Sequence, residues 1–416
     1  MNKVFKYVPI TDLLETIIDN RGKTVPTSEK GIPLIATNCI KHSSIYPTLE
    51  KVRYVNEETH TNWFRAHLEP NDILFVNKGT PGRVCLVPDP VSFCAAQDMM
   101  AFRCNDDLID YKYLFAVLRS DEIQKKIENN HVGLVIPHLR KQDLSSILIP
   151  IRDRKEQELI GNFYVSLSEK IELNNRINAE LEAMAKTLYD YWFVQFDFPD
   201  ANGKPYKTSG GKMVWNEELN RDVPEGWEVE TINEYADFKN GKGIKKEHLN
   251  DTGQFAVYGS NGIVGRTDHV LFSEPVIAIG RVGANYGEVH YSLDKCWISD
   301  NSITAQPVKK EYFWWLILIL KNINYSNIAG GSAQPLITQG QLKALPIAVS
   351  NNFLIEDFHR IIDSSYLKLN KNIKENQELA SLRDWLLPML MNGQVSVGDV
   401  AEELGMVAEE SARYGK

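Results

Sequence analysis

Residues Glu158–Phe196 read ELIGNFYVSLSEKIELNNRINAELEAMAKTLYDYWFVQF, and the spacing of their apolar side chains decides the fold. Ile160, Leu167, Leu181 and Leu188 recur at a heptad interval, with Asn174 in the one polar slot. A second row three residues on holds Phe163, Ile177, Met184 and Tyr191, interrupted by Lys170. A heptad seam with few helix breakers inside it predicts a long helix whose apolar edge needs a partner helix. Starting near Glu156, it would run for about 38 residues and about 55 Å.

A matching stretch lies near the C-terminus, where Leu354–Leu387 reads LIEDFHRIIDSSYLKLNKNIKENQELASLRDWLL. Ile355, Ile362 and Leu369 form one row, with Asn376 in it; Phe358, Leu379 and Leu386 form the other. The shift that carries Ile160 to Ile362 also carries Leu167 to Leu369, Asn174 to Asn376, Ile177 to Leu379 and Met184 to Leu386. One polar Asn in such a seam lowers stability but fixes register and pairing. Two unrelated amphipathic helices are the alternative. A repeat at fixed offset is a fold-level signal that favours duplication.

The chain has 416 residues, a net charge of −9, 43% hydrophobic and 24% charged residues, which fits a globular protein with two or three cores. Cys39, Cys85, Cys94, Cys104 and Cys296 are odd in number and form no CxxC pair. That argues against a disulfide framework or zinc ribbon and fits a reducing cytoplasm. The opening MNKVFKYVPITDLLET lacks the apolar run and cleavage site of a signal peptide. The most apolar run, Tyr312–Leu320, is about half of what a bilayer crossing needs, and reads as a buried helix or strand. The acidic balance argues against a protein that coats nucleic acid over its whole surface, while leaving room for local basic clefts.

Taken in order, residues 1–150 form a first globular unit, 151–196 a long helix, and 197–226 a Gly- and Pro-rich linker with Trp215 and Trp227 as its anchors. Residues 227–350 form a second globular unit and 351–392 a second long helix; 393–416 are a polar, acidic tail expected to be poorly ordered. Within the first unit Ile32–Ile35, Ile73–Val76, Val84–Val87 and Met99–Arg103 read as short strands, and Tyr111–Asn129 as a helix. The second unit repeats the first. Asn240-Gly241-Lys242 echoes Arg21-Gly22-Lys23, Val276–Ile279 with the Gly283–Val289 loop echoes Ile73–Val76 with Gly79–Val84, and Cys94 and Asp98 recur as Cys296 and Asp300. The fold class is α+β: two repeated globular units of mixed β-sheet plus helices, separated by two long helices that pair as a coiled coil.

Catalytic signatures are missing. Gly22-Lys23-Thr24 has the end of a phosphate-binding loop, but Ile17 stands where its first Gly belongs. No GxGxxG follows a strand, no HExxH or His/Cys ligand cluster occurs, and the [DN]PP[FYW] tetrapeptide of adenine methyltransferases is absent. Asp153-Arg154-Lys155 looks nuclease-like, but at a helix start such charges are more simply capping and solvation. No catalytic or metal site is assigned.

Binding surfaces are better represented. Polar Gly-rich loops at Arg21–Thr24, Asn77–Arg83 and His131–Arg140 correspond to loops at Lys239–Lys246, Tyr258–Arg266, Arg281–Tyr286 and Gly330–Gln334. Ordinary turns use the same residues. Such loops also suit DNA, because Lys and Arg neutralise phosphates while Asn, Gln and Arg pair with base edges. The DNA-contact candidates are Arg21, Lys23, Asn77, Lys78 and Arg83 in the first unit, and Lys242, Lys245, Asn261, Arg266, Arg281 and Asn285 in the second.

Leu-Tyr-Asp-Tyr-Trp-Phe-Val-Gln-Phe-Asp-Phe-Pro at Leu188–Pro199 and Val-Pro-Glu-Gly-Trp at Val223–Trp227 resemble the central conserved region and the second target-recognition domain of a known family. That family is the specificity subunits of type I restriction–modification systems, and the resemblance spans nearly the whole chain. It implies a non-catalytic, cytoplasmic subunit with one target-recognition domain for each half of a bipartite site in double-stranded DNA. The two long helices would pair as an antiparallel coiled coil, separate the domains and dock two methyltransferase subunits, with two ATP-dependent restriction (translocase–nuclease) subunits added in the full complex. S-adenosylmethionine, ATP and Mg are expected in those partners, none in this chain, and no membrane is involved. Rival readings are a stand-alone nuclease with its own recognition domains, a coiled-coil adaptor without DNA, and an alternative specificity subunit exchanged with relatives.

Overall fold

The computed structural model describes residues 6–20, 22–130, 137–330, 335–350 and 352–395. The chain folds as two compact units, Met1–Ile177 with Lys371–Lys416, and Asn178–Asn370. In the first unit the strands are β1 (Lys6–Pro9), β2 (Leu14–Ile18), β3 (Ile32–Ile35), β4 (Arg53–Val55), β5 (Ile73–Val76), β6 (Val84–Leu86), β7 (Cys94–Ala95), β8 (Met99–Cys104) and β9 (Leu148–Ile151). The helices are α1 (Glu57–Trp63), α2 (Tyr111–Arg119), α3 (Asp121–Asn130) and the long α4 (Arg154–Tyr189), which continues into the second unit. The remaining strands are β10 (Met213–Asn216), β11 (Arg221–Pro224), β12 (Glu228–Thr231), β13 (Ala236–Asn240), β14 (Phe255–Gly259), β15 (Gly262–Thr267), β16 (Val276–Gly280), β17 (Val289–Ser292), β18 (Cys296–Ile298), β19 (Ser302–Pro307) and β20 (Pro346–Val349). With them come α5 (Phe313–Asn322), α6 (Gln339–Lys343) and the second long helix α7 (Asn352–Asn392).

The duplication is complete at the level of topology. The antiparallel sheet β2-β8-β5-β6 recurs as β13-β19-β16-β17, the mixed sheet β4-β3-β7 as β15-β14-β18, and the pair β1-β9 as β12-β20. Even strand direction is kept: β3 runs parallel to β7 and β14 parallel to β18, so Cys94 and Cys296 occupy matching places. The expected α+β repeat with two long helices is the observed architecture.

Period-two side-chain alternation explains why the central strands read as unbroken apolar runs. In β5, Ile73 and Phe75 point into the core that holds α2, while Leu74 and Val76 point into a second core with Ile35, Cys85 and Met99. Both faces are buried, so no polar position remains. β16 does the same in the second unit, with Ile277 and Ile279 beneath α5 and Val276 and Ala278 against Cys296 and Ile298. The Tyr312–Leu320 run resolves as a helix: α5 is buried at every position from Phe313 to Leu320. The helix expected over Tyr111–Asn129 is broken at Ser120, whose extended backbone separates α2 from α3.

The long helices pair antiparallel inside each unit. In the first, Arg152 Nη2 donates to the carbonyls of Leu390 and Met391 at 2.6 and 3.0 Å, capping the end of α7. Further along, Arg383 Nη1 reaches Ser168 Oγ at 3.2 Å, and Asn174 Nδ2 donates to Asn376 Oδ1 at 2.9 Å and to Glu375 Oε2 at 3.0 Å. Asn376 Nδ2 returns a bond to Asn175 Oδ1 at 2.8 Å. Partners on α7 therefore fall in number as those on α4 rise. In the second unit, Tyr189, Trp192 and Phe193 of the central segment close on Phe358 of α7, with Phe193 and Phe358 edge-on at 5.2 Å.

The second row of the α4 seam needs correction. The buried residues are Tyr164, Ile171, Ala185 and Trp192, each one position beyond the expected Phe163, Lys170, Met184 and Tyr191. Met184 is 66% exposed. Ile160 and Asn174 of the first row are buried, and Leu167, Leu181 and Leu188 are half-buried. On α7 both rows hold: Ile355, Phe358, Ile362, Leu369 and Leu386 are buried, with Asn376 and Leu379 half-buried.

The stretch read as a linker is built rather than loose. It contains the hairpin β10–β11, and Asp197 accepts from the Thr208 amide at 2.7 Å. Trp227 packs against Phe196 and Phe198 as expected of an anchor, whereas Trp215 is 57% exposed. The acidic tail from residue 396 onward lies outside the described residues.

Candidate nucleic-acid interface

In the first unit, the turn that leaves β5 meets three other chain segments around a shallow polar cleft. Lys23, Asn77, Lys78, Gln97, Asp98 and His138 line it. The backbone is fastened at each side: Asn77 N donates to Asp98 O at 3.0 Å, Leu139 N to Asn77 O at 2.8 Å, and Gly79 N to Pro137 O at 2.9 Å. Gly79 has φ +86°, a left-handed turn that a side chain would strain. Gln97 and Asp98 adopt the same region without being glycine, at φ +55° and +45°. Each such residue costs about 1–2 kcal/mol, and strain of this kind gathers where function holds the backbone.

The candidates separate into distinct roles. Lys23 and Lys78 are exposed at the rim, and Lys78 Nζ lies 3.6 Å from Asp98 Oδ1. Asn77 is fully buried at the floor, 3.5 Å from His138 Nδ1, and its Oδ1 has no partner among the described residues. Arg83 does not line the cleft. Its charge acts on His42, which desolvation, Arg119 and then Arg83 hold below the ordinary histidine value. Arg21 and the His131–Ile136 part of its loop lie outside the described residues.

The second unit repeats the frame with different side chains. Arg281 N donates to Asn301 O at 3.0 Å and Ile337 N to Arg281 O at 2.9 Å, the bonds that Asn77 makes to Asp98 and Leu139. Gly283, at φ +78°, takes the place of Gly79. Gly241 passes so close to the β18–β19 connection that a Cβ would sit 2.1 Å from Ser299 O, so only glycine fits. Trp297 Nε1 donates to Lys242 O at 2.7 Å, which leaves the Lys242 side chain exposed on a fastened loop. Ser260 Oγ donates to Asn301 O at 2.6 Å and draws in the β14–β15 turn, with Asn261 exposed at its tip. Asn285 is half-buried in a 3-10 turn, Gly283–Asn285.

Two second-unit candidates are otherwise engaged. Arg266 donates from Nε to Gly253 O at 2.5 Å and from Nη2 to Gln254 O at 2.7 Å, so its guanidinium fastens the loop before β14. Lys245 is exposed and lies 3.4 Å from Glu247. The sequence reading named the loops that hold His138 and Ser260 but not these two residues as contacts, and it passed over Gln97 and Asn301. Gln97 and Asn301 each sit beside the repeated Asp98/Asp300 pair, which was the available signal.

The Asp153–Lys155 charges stand at the start of α4. Asp153 Oδ1 accepts from Glu156 N at 2.9 Å, the N-cap arrangement, and Arg154 pairs with Glu158 at 2.8 Å. Among the described residues no three His, Cys, Asp or Glu side chains are grouped to hold a metal. The five cysteines are free and buried, and desolvation pushes Cys85 and Cys296 up to about 11 and Cys94 up to about 12. No helix among the described residues is long and apolar enough to cross a membrane.

The loop cluster is built twice on a repeated β-scaffold, polar and with lysines exposed at its rim. Residues 2–183 and 224–351 match the family described as the type I restriction modification DNA specificity domain, and the chain belongs to the specificity subunits of that family. Two curated relatives are similar over most of their length. The type I restriction enzyme MjaIX specificity subunit of Methanocaldococcus jannaschii is 22% identical over 363 residues, covering 79% of this chain and 78% of the relative. The HindI specificity subunit of Haemophilus influenzae is 22% identical over 406 residues, covering 79% and 87%. The crystal structure of the type I restriction–modification S subunit from M. genitalium shares the fold, with a TM-score of 0.60 at 20% identity over 94% of this chain and 97% of that one.

Proposed function

We propose that the chain reads a bipartite DNA target, one half-site per unit, for a type I restriction–modification complex. The observation that carries this is the paired loop clusters. Asn77 and Arg281 sit on the same backbone bonds in two copies of one fold, yet present different chemistry. Duplicate readers with divergent side chains suit a target whose two halves differ.

The paired long helices, in this reading, set the length of the unread spacer. A 36-residue helix such as α4 spans about 54 Å, beyond the 34–36 Å or so of one DNA turn. Their outer faces would dock methyltransferase subunits, and restriction subunits would join the assembly. The chain itself would do no chemistry: S-adenosylmethionine, ATP and Mg would act in the partners, where the methyltransferase flips its adenine out of the stack. Tethering also lets two individually weak readers bind together through effective concentration.

The test is to assemble the chain with its methyltransferase subunits and sequence the methylated sites. Two short specific motifs separated by a fixed unread gap are expected. Binding to duplex DNA should weaken steeply with salt, because lysines at the rims release counterions. Salt-insensitive or absent binding would favour the adaptor reading. Specific cutting by the purified chain with magnesium would favour the nuclease.

A further inference from the structure

Two copies of one fold that read different half-sites must differ where their backbones agree, and the strand-exit position shared by Asn77 and Arg281 is such a place. Asn77 is fully buried, and its short side chain stays at the cleft floor beside His138. Arg281 is half-buried and longer, and where the first unit has His138 the second has Leu336, which takes no hydrogen bond from it. The guanidinium of Arg281 is almost uncommitted. Nη1 lies 3.5 Å from Asp300 O, at the outer limit of a hydrogen bond, and Nε is buried without a partner among the described residues. Arg266, in the same unit, spends its donors on two carbonyls. A planar five-donor fork held by its backbone, and short of acceptors, fits an external acceptor pair.

We propose that Arg281 is a specificity-determining residue of the second unit and reads a guanine through O6 and N7 in the major groove. This rests on the reading that the second unit contacts DNA. The pairing follows from geometry: guanine presents two adjacent acceptors there, and the guanidinium fork presents two parallel donors. A phosphate contact, by contrast, would not need a half-buried stem; Lys242, whose side chain is exposed, suits that role.

The experiment uses the full chain assembled with its methyltransferase subunits and a randomised DNA library, with methylated adenines sequenced as the readout. The wild-type complex should require a guanine at one position of one half-site. Arg281→Gln should lose that requirement or exchange it for adenine, with cognate sites falling about 10- to 100-fold and the other half-site unchanged. Arg281→Lys keeps the charge and should retain methylation with weaker guanine discrimination, which separates lost readout from lost folding. A wild-type motif in both variants overturns the proposal. So does an equal loss across all sequences with a salt slope reduced by about one, the signature of a phosphate contact. If instead the wild-type complex shows no bipartite motif, the two-reader function itself fails, whatever Arg281 does.

Discussion

Asn174 is 1% exposed, and its amide meets its own repeat counterpart, Asn376, across the helix pair. Replacing it with Leu leaves Asn376 and Glu375 short of a donor in a half-buried seam. Asn174→Leu should therefore destabilise the chain by about 1–3 kcal/mol, and a double change with Asn376→Leu should recover most of that while loosening register. Urea unfolding of both variants checks this; a stabilised single variant would contradict it. A second residue-scale expectation concerns His60, which desolvation and then neighbouring His67 hold below its ordinary value. The rings lie 4.6 Å apart. The unfolded chain binds that proton more readily, so stability is intact above about pH 6.5 and declines as pH falls below it. His60→Gln should flatten this part of the thermal-stability profile; an unchanged profile would count against it. At this scale the sequence revealed the Asn pair, because duplication repeats it. It hid the fates of Arg83, which does not line the cleft, and of Arg266, whose partners are backbone carbonyls that carry no composition signal.

The seam of α4 shows what periodicity can and cannot reveal. Existence and the first row were legible from the heptads, while the antiparallel direction came with the family resemblance. The second row was misplaced by one residue because apolar side chains stand at both candidate positions: Phe163 beside Tyr164, Tyr191 beside Trp192. The most misleading pair is Met184 and Ala185, where the larger apolar residue faces out and the small one is 2% exposed. Ala185 is buried in the core that also holds Tyr189 and Phe358. Ala185→Leu should thus cost about 1–3 kcal/mol by overpacking, whereas Met184→Gln should stay within about 0.5 kcal/mol. Thermal denaturation ranks the two, and the reverse order would restore the misplaced row. Strands β3, β5, β6 and β8 were legible as apolar runs bounded by turn residues. The hairpin β10–β11 was not, because its strands are only four residues long and lie in a Gly- and Pro-rich stretch.

At the scale of the molecule, duplication made most of the fold readable. Each uncertain segment had a second copy against which it could be compared. The aromatic run Tyr189–Phe198 resembles a family signature and is also a packing centre, closing on Phe358 and Trp227. Which loop residues meet DNA was less legible, since turns and DNA-contacting loops draw on the same residues. Only the backbone bonds shared by Asn77 and Arg281 distinguish a built site from an ordinary turn. Gly241→Leu is the corresponding lesion for one unit, because its Cβ would collide with Ser299 O. The most direct measurement is the methylated-site motif of the assembled complex, with wild-type chain and with Gly241→Leu. Two separated half-sites are predicted for the wild type, with the lesion degrading one and sparing the other. A single contiguous motif, or equal damage to both halves, would contradict the account.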